Sequence, residues 1–316
     1  MPSLNTLSTG TFGCPFVIAQ ATSIMSYIGR FAPTPSGPLH LGSLIAALAS
    51  FLDARHAQGR WLVRIEDIDP PRCPAGTADT ILRQLEAFGL TWDGPVRYQS
   101  ERHANYQAAL ERLVAQGLAY PCSCSRKEWR GHAIYPGWCR QGPLHPERPL
   151  AWRLRSDLGT RPIEWKDRRL NRQRFDPAEL GDVVLKRKDD LWAYQLAVVV
   201  DDADQSVTDV VRGADLLDNT PWQRQLQDAL AFPVPRYLHL PLVLGDNGQK
   251  LSKQNLAPAL PTDTPGIRHT LHHALQRLGQ QPPFEMAHAP VADQLDAAIN
   301  AWHSERLRHI TTRAPS

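Results

Sequence analysis

The chain has 316 residues, 42% of them apolar and 21% charged, with a formal net charge of +3. These are ordinary values for a soluble enzyme with room for one elaborated domain or two. They exclude a polypeptide that is basic overall, so any contact with nucleic acid has to be made by a local basic groove.

Residues 1–24 contain one short apolar run, Phe16-Val17-Ile18-Ala19. No lysine or arginine precedes Arg30, so the positive segment of a signal peptide is missing, and the run is too short to span a bilayer. The expectation is a disordered extension over 1–24 on a cytoplasmic, monomeric protein that makes no membrane contact. Ordered structure then begins with a strand at Tyr27-Ile28-Gly29-Arg30-Phe31. After a glycine- and proline-containing turn, Leu44, Ile45, Leu48, Phe51 and Leu52 repeat at helical spacing, and Gly59 marks the end of that helix. Trp61-Leu62-Val63-Arg64-Ile65 predicts a short buried strand running into Glu66-Asp67. Helices follow with Ile81, Leu82, Leu85 and Phe88, and around Tyr106 to Gln116. Strands alternating with helices of this length predict an α/β fold with a Rossmann-like parallel sheet.

The alternation breaks near Tyr120. The stretch 119–180, rich in cysteine, tryptophan, proline and arginine, is expected to be an insertion between the catalytic halves 25–118 and 181–260. Apolar strands are expected at Asp182-Val183-Val184-Leu185, at Ala197 to Asp202 and at Val207 to Gly213. A helix with Trp222, Leu226 and Leu230 follows, and then a small helical C-terminal part over 261–316 with Leu271, Leu275 and Leu278 on one face.

Two stretches invite phosphate chemistry. His40-Leu41-Gly42-Ser43 falls where the first strand turns into a helix. Backbone N–H groups and the helix dipole favour an anion there, and His40 can donate to a phosphate oxygen. Lys250-Leu251-Ser252-Lys253-Gln254 places two mobile cations on a loop that could carry charge to a departing phosphate. Taken singly, the first is a turn with a surface histidine and the second a solvated loop. Five cysteines, three of them at Cys122, Cys124 and Cys139, point to a metal site or to reduced thiols instead of a disulfide scaffold. Three thiolates supply most of a tetrahedral zinc shell, and both Tyr135 and His132 stand in the right stretch to complete it.

As an ordered pair the two stretches resemble the HIGH and KMSKS signatures of class I aminoacyl-tRNA synthetases. Arg30 to Ser43, Arg64 to Asp69, Tyr194 to Asp202, Val211 to Leu217 and the Lys250 loop, taken in order, are similar to the catalytic domain of glutamyl-tRNA synthetases. The resemblance implies an adenylate-forming site in which His40, Gly42, Ser43, Lys250 and Lys253 handle ATP with Mg²⁺. Arg30 and Arg212 would bind carboxylates, Glu66 the substrate ammonium, and Tyr194 would offer a hydroxyl. Arg30, Phe31, Ala32, Pro33 and Thr34 would line the amino-acid pocket. The residue types suit glutamate, a dicarboxylate amine, because a guanidinium grips a carboxylate with two parallel hydrogen bonds. Each has an ordinary alternative: a salt bridge to Asp209 or Asp215 for Arg212, a capping carboxylate for Glu66, a core tyrosine for Tyr194.

Only 62 residues follow Gln254, too few for the anticodon-binding region of a glutamyl-tRNA synthetase. In this respect the chain resembles the glutamyl-Q tRNA(Asp) synthetases, as do Ser43, Leu251 and Gln254 within the two signatures. That implies tRNA-independent activation of glutamate and its transfer to the queuosine base of tRNA(Asp). It also implies one structural zinc on Cys122, Cys124, Tyr135 and Cys139. The rivals are a truncated glutamyl-tRNA synthetase charging the tRNA 3′ end, and a non-catalytic tRNA-binding module. In the insertion, Arg126, Lys127, Arg130 and Arg153 stand among Trp129, Trp138, Trp152 and Trp165, a mixture that suits splayed RNA bases.

Overall fold

The computed structural model describes residues 26–158, 161–242 and 259–310. The extension 1–24 and the Lys250 to Gln254 stretch lie outside the described residues. In chain order the elements are β1 (Ile28–Phe31), α1 (Leu41–His56), β2 (Arg60–Ile65), α2 (Thr77–Ala87), β3 (Arg97–Tyr98) and α3 (His103–Ala115). The chain continues with β4 (Ala119–Cys122), β5 (Ala151–Leu154), β6 (Ile163–Asp167), β7 (Asn171–Phe175), α4 (Pro177–Leu180) and β8 (Val184–Lys186). It ends with α5 (Tyr194–Asp204), β9 (Asp209–Gly213), α6 (Thr220–Ala229), β10 (Arg236–Leu240), α7 (Thr264–Arg277) and α8 (Val291–Asn300). Among the described residues no helix is long and apolar enough to cross a membrane.

The expected parallel sheet is present. β1, β2 and β3 pair in parallel, as do β9 and β10. The two groups meet at β1, where the Thr208 N–H donates to the Ile28 carbonyl at 2.9 Å. The chain thus builds one side of the sheet as β1, β2 and β3, then returns to start the other side beside β1. The predicted helix α1 covers this seam, with Leu44, Ile45, Leu48, Phe51 and Leu52 all buried. The C-terminal helices pack on it through Leu271, Leu275 and Leu295, with Trp302 just beyond α8. Gly59 ends the α1 turn where nothing larger fits: a Cβ there would lie 2.3 Å from the Tyr27 carbonyl oxygen.

Two details differ from the sequence expectation. Ala197 to Asp202 is not a strand but the body of helix α5. Residues 195–202 are buried on every face, so the run carries no helical stripe, and a short continuous apolar run cannot be told from a buried strand by periodicity. The stretch after Tyr120 is also divided. β4, β5 and β8 form a small antiparallel sheet, whereas the β6–β7 hairpin joins the main sheet beside β10 at Asp167 and Tyr237.

Asp53 on α1 fastens the distant parts together. Its buried carboxylate accepts from Tyr27, from both terminal nitrogens of Arg168 in the β6–β7 turn, and from Trp302 Nε1 at 2.9 Å. Burial alone would raise its pKa, but Arg168, Tyr27 and Trp302 override that and hold it below the usual carboxylate range. A depressed carboxylate stabilises the fold above its unfolded pKa, and that contribution is lost as pH falls through the folded value. Asp53→Ala should therefore cost about 3 kcal/mol at neutral pH, read from the urea midpoint, and the gap to the native protein should begin to narrow below about pH 4.

Candidate active site

The carboxyl ends of β1, β2, β9 and β10 open into a cleft of about 550 Å³. This is the place where a parallel sheet reverses its strand order and leaves room for a ligand. Arg30 to Thr34 leave β1 into it, Glu66 follows β2, Arg212 ends β9, and Tyr194 stands in the first turn of α5. His40, Gly42 and Ser43 line the same cleft. Every described residue expected to touch glutamate or ATP is thus brought to one cavity. Lys250 and Lys253 lie outside the described residues, but the positions flanking their segment are defined. Leu242 lines the cleft, and Ala259 forms an antiparallel bridge with His40.

Charge beneath the cleft is closely matched. Arg64, fully buried, sits 2.8 Å from Asp202 and 3.4 Å from Glu66, and Arg30 reaches Asp202 at 3.1 Å. Behind them Asp201 accepts from Gln99, Tyr106 and Arg102. Arg212 is the exception. Among the described residues its guanidinium has no carboxylate partner. It donates to the Thr220 hydroxyl (2.9 Å), the Tyr194 hydroxyl (3.4 Å) and His239 Nε2 (3.2 Å), so neither Asp209 nor Asp215 neutralises it. Asp209 instead takes Arg236 and Arg168. Glu66 has its carboxyl pushed up to about 7, chiefly by burial, with Arg64 and Arg30 opposing. Burial likewise raises the Tyr194 hydroxyl, which stays protonated.

His40 is the N-cap of α1. Its Nδ1 accepts from the Gly42 and Ser43 N–H groups at 3.0 and 3.3 Å, and the Ser43 hydroxyl accepts from the His40 N–H. Two consequences follow. Those two N–H groups are already used, so they are not the anion-binding donors expected at the helix start. The cap also places the imidazole proton on Nε2, the donor that a phosphate oxygen requires.

Cys122, Cys124 and Cys139 converge beyond β4 with all three Sγ atoms within 4.8 Å of one another. Tyr135 lies against them: the Cys122 thiol donates to its oxygen at 3.3 Å, and its hydroxyl donates to Cys124 at 3.4 Å. His132 is exposed, and its ring meets Trp138 edge to face, away from the thiols. Burial raises the Cys124 thiol to about 11. At Cys139 burial is outweighed by hydrogen bonds from Tyr135 and the backbone, and the thiol falls to about 6. Arg153 donates to Cys122 and lies 4.0 Å over the Tyr135 ring, a cation placed beside the thiols. A second cavity of about 740 Å³ runs from this cluster to Tyr194 and is lined by Arg126, Trp129, Arg187 and Lys188.

The sequence reading gave no role to Asp202, Thr220 or His239. Asp202 is the counter-ion shared by Arg30 and Arg64, and an acid inside an apolar helical run is a signal that a buried cation faces it. Thr220 and His239 carry no such signal in the sequence; the fold places both against Arg212.

The family of class I tRNA synthetases (E and Q), catalytic domain, matches residues 28–133 and 141–288. The glutamyl-Q tRNA(Asp) synthetase of Ectopseudomonas mendocina is 53% identical over 291 residues, covering 92% of this chain and 97% of the relative. That of Thiobacillus denitrificans is 54% identical, covering 89% and 94%. Among solved structures, a glutamate tRNA ligase from Elizabethkingia meningosepticum, in complex with its amino acid, superposes with a TM-score of 0.74 at 25% identity. The match covers 90% of this chain and 66% of the ligase. The chain belongs to the class I tRNA synthetases of the E and Q type and, within them, to the glutamyl-Q tRNA(Asp) synthetases.

Proposed function

We propose that this chain activates L-glutamate with ATP in the absence of tRNA and transfers it to the queuosine base at the wobble position of tRNA(Asp). A glutamate carboxylate oxygen attacks the α-phosphorus of ATP, and pyrophosphate leaves with its bonding electron pair. A hydroxyl of the queuosine cyclopentenediol then attacks the carbonyl of the mixed anhydride, releasing AMP. No nucleophile from the protein is needed. The observation that carries the reading is the buried, uncancelled guanidinium of Arg212 sharing one cleft with Glu66 and His40. A ligand with one carboxylate more than its ammonium completes that charge balance.

In this reading Arg30 and Arg212 take the carboxylates, Glu66 takes the ammonium and Tyr194 offers its hydroxyl. Phe31, Ala32, Pro33 and Thr34 form the wall. His40 donates to a phosphate, while Gly42 and Ser43 supply a small surface for the triphosphate. Lys250 and Lys253, with Mg²⁺, share the charge of the leaving pyrophosphate. The tRNA reaches the adenylate along the cavity lined by Arg126, Trp129, Arg187 and Lys188, where cations and an aromatic face suit an extruded base. The reaction belongs in the cytoplasm, where ATP and tRNA are.

The cysteine cluster fits zinc. Sulfurs bound about 2.3 Å from one zinc stand about 3.8 Å apart, and Cys124 and Cys139 already lie at 3.5 Å. Cys122, Cys124, Cys139 and Tyr135 would hold the ion, and Arg153 would offset the excess negative charge. The ion would be structural, because the local cluster otherwise consists of these side chains with Tyr120 and Trp129.

Four measurements test the proposal. ATP–pyrophosphate exchange should proceed with glutamate and no tRNA, and labelled glutamate should enter queuosine-bearing tRNA(Asp) but not the unmodified tRNA. Exchange that depends on tRNA would instead indicate a truncated synthetase of the 3′-end type, and none at all a binding module. Below pH 7 Glu66 becomes protonated and loses the charge that holds the ammonium. KM for glutamate should therefore rise by up to about tenfold per pH unit there, and Glu66→Gln should flatten that dependence. Treatment with a strong chelator should release about one zinc per chain and lower the melting temperature, and Cys124→Ser should do the same without chelator.

A further inference from the structure

His239, on β10, is fully buried and belongs to none of the motifs that mark the cleft. Its Nδ1 lies 2.6 Å from Asp167 Oδ2, and its backbone N–H reaches the same oxygen at 3.2 Å. The other oxygen of Asp167 accepts the N–H groups of Arg169 and Leu170 at 3.0 and 2.8 Å. Three backbone N–H groups thus donate to Asp167, and the carboxyl is held below the usual range, so it has no proton to give and the proton between it and the ring belongs to Nδ1. That leaves a bare lone pair on Nε2, which faces Arg212 Nε at 3.2 Å and the Thr220 hydroxyl at 3.3 Å. Thr220 accepts from Arg212 Nη2 in turn. Burial also disfavours an imidazolium at His239, as does the neighbouring guanidinium of Arg212.

We propose that His239, fixed as the Nδ1–H tautomer by Asp167, is a positioning residue that sets the rotation of the Arg212 guanidinium. With Nε on His239, one Nη2 hydrogen on Thr220 and Nη1 also 3.4 Å from the Tyr194 hydroxyl, the remaining Nη1 and Nη2 hydrogens point the same way. Those are the two parallel donors that a carboxylate takes up. An imidazole suits this position because it is an uncharged acceptor. A carboxylate in its place would cancel the charge the ligand is meant to meet, and a donor would repel the guanidinium. This inference rests on Arg212 being a ligand of a glutamate carboxylate.

The test is ATP–pyrophosphate exchange with KM measured separately for glutamate and ATP, on four variants whose folding is checked by melting temperature. His239→Leu removes the acceptor and should raise KM for glutamate about ten- to hundredfold while leaving KM for ATP within about twofold. His239→Gln can return an amide oxygen to Arg212 Nε and should recover most of that loss. Asp167→Asn tests the tautomer without touching the ring: its oxygen stays with the Arg169 and Leu170 N–H groups, so its amide donates to Nδ1 and drives the ring proton to Nε2. It should reproduce the glutamate-selective rise, and it keeps the proposal testable if His239→Leu does not fold. Equal losses toward glutamate and ATP, a glutamine variant no better than leucine, or an unchanged KM for glutamate would each overturn the proposal. Arg212→Gln, measured alongside, separates the two levels. If it leaves KM for glutamate unchanged, the reading of the pocket fails and this inference with it. If it raises that KM while the His239 variants do not, only this inference fails.

Discussion

The structure depends on how charge is matched in a place that water does not reach. Arg64 lies at the centre, fully buried, with Asp202 and Glu66 against it, Asp201 behind and Arg30 on the far side of Asp202. Taking any one of these out of water alone would cost several kcal/mol, so each is tolerable only because the others are there. They come from three separate elements: Arg30 from β1, Arg64 and Glu66 from β2 and its end, and Asp201 and Asp202 from α5. The ion network therefore fixes the register between the first strands and the helix that precedes β9. Arg212, approaching from β9, is the one cation in this region for which the described residues supply no acid. Around Arg64 every other buried charge meets an opposite one among the described residues, which is the basis for reading Arg212 as the group left for an anion.

The motif at the start of α1 gains its function from the same economy of donors. A histidine in the N-cap position satisfies two of the helix's own N–H groups, a task usually given to serine, threonine, aspartate or asparagine. A carboxylate there would cap equally well but would repel a triphosphate. The imidazole caps through Nδ1, which leaves its proton on Nε2. The chemistry of capping thus selects the tautomer that phosphate binding needs. The bridge between His40 and Ala259 brings the chain back to this point from the far end of the Lys250 segment.

Much of this arrangement was legible in the sequence. The strands around Arg30 and Arg64 are short, apolar and bounded by turn residues, and α1 has a regular apolar repeat, so both could be placed from pattern alone. The residues expected at the pocket shared one cleft because they follow the carboxyl ends of parallel strands, a rule of the fold. Helix α5 was not legible: Leu196 to Val200 is apolar on every face because it lies between α3, α6 and the sheet, and periodicity needs a wet side to be seen. The division of 119–180 was hidden for another reason. β6 and β7 are polar hairpin strands whose place beside β10 is set by Asp167 reaching His239, a pairing 72 residues apart. Tyr135 rather than His132 meets the thiols, which ligand frequencies alone would not favour.

Selectivity follows from the open charge more than from the shape of the wall. With Glu66 ionised, Arg30 and Arg64 are matched by Asp202 and Glu66, which leaves Arg212 as the unmatched cation of the proposed glutamate pocket. Glutamate, with two carboxylates and one ammonium, cancels it. Glutamine differs by a single amide, and the cleft could admit its volume, yet in the proposed pocket it would leave either Arg212 or Arg30 facing a neutral group. A buried guanidinium without its partner costs about 2–4 kcal/mol, which is a discrimination of roughly thirty- to a thousandfold. Discrimination of this kind needs no second editing site, because it is built from polar groups that the wrong substrate leaves unsatisfied, not from a cavity that a smaller substrate can still enter. It does require that the guanidinium be unable to turn away and find another acceptor. Thr220 and His239, by holding Nε and one Nη2 hydrogen, remove that escape, so the energy of mismatch falls on the ligand and not on the protein.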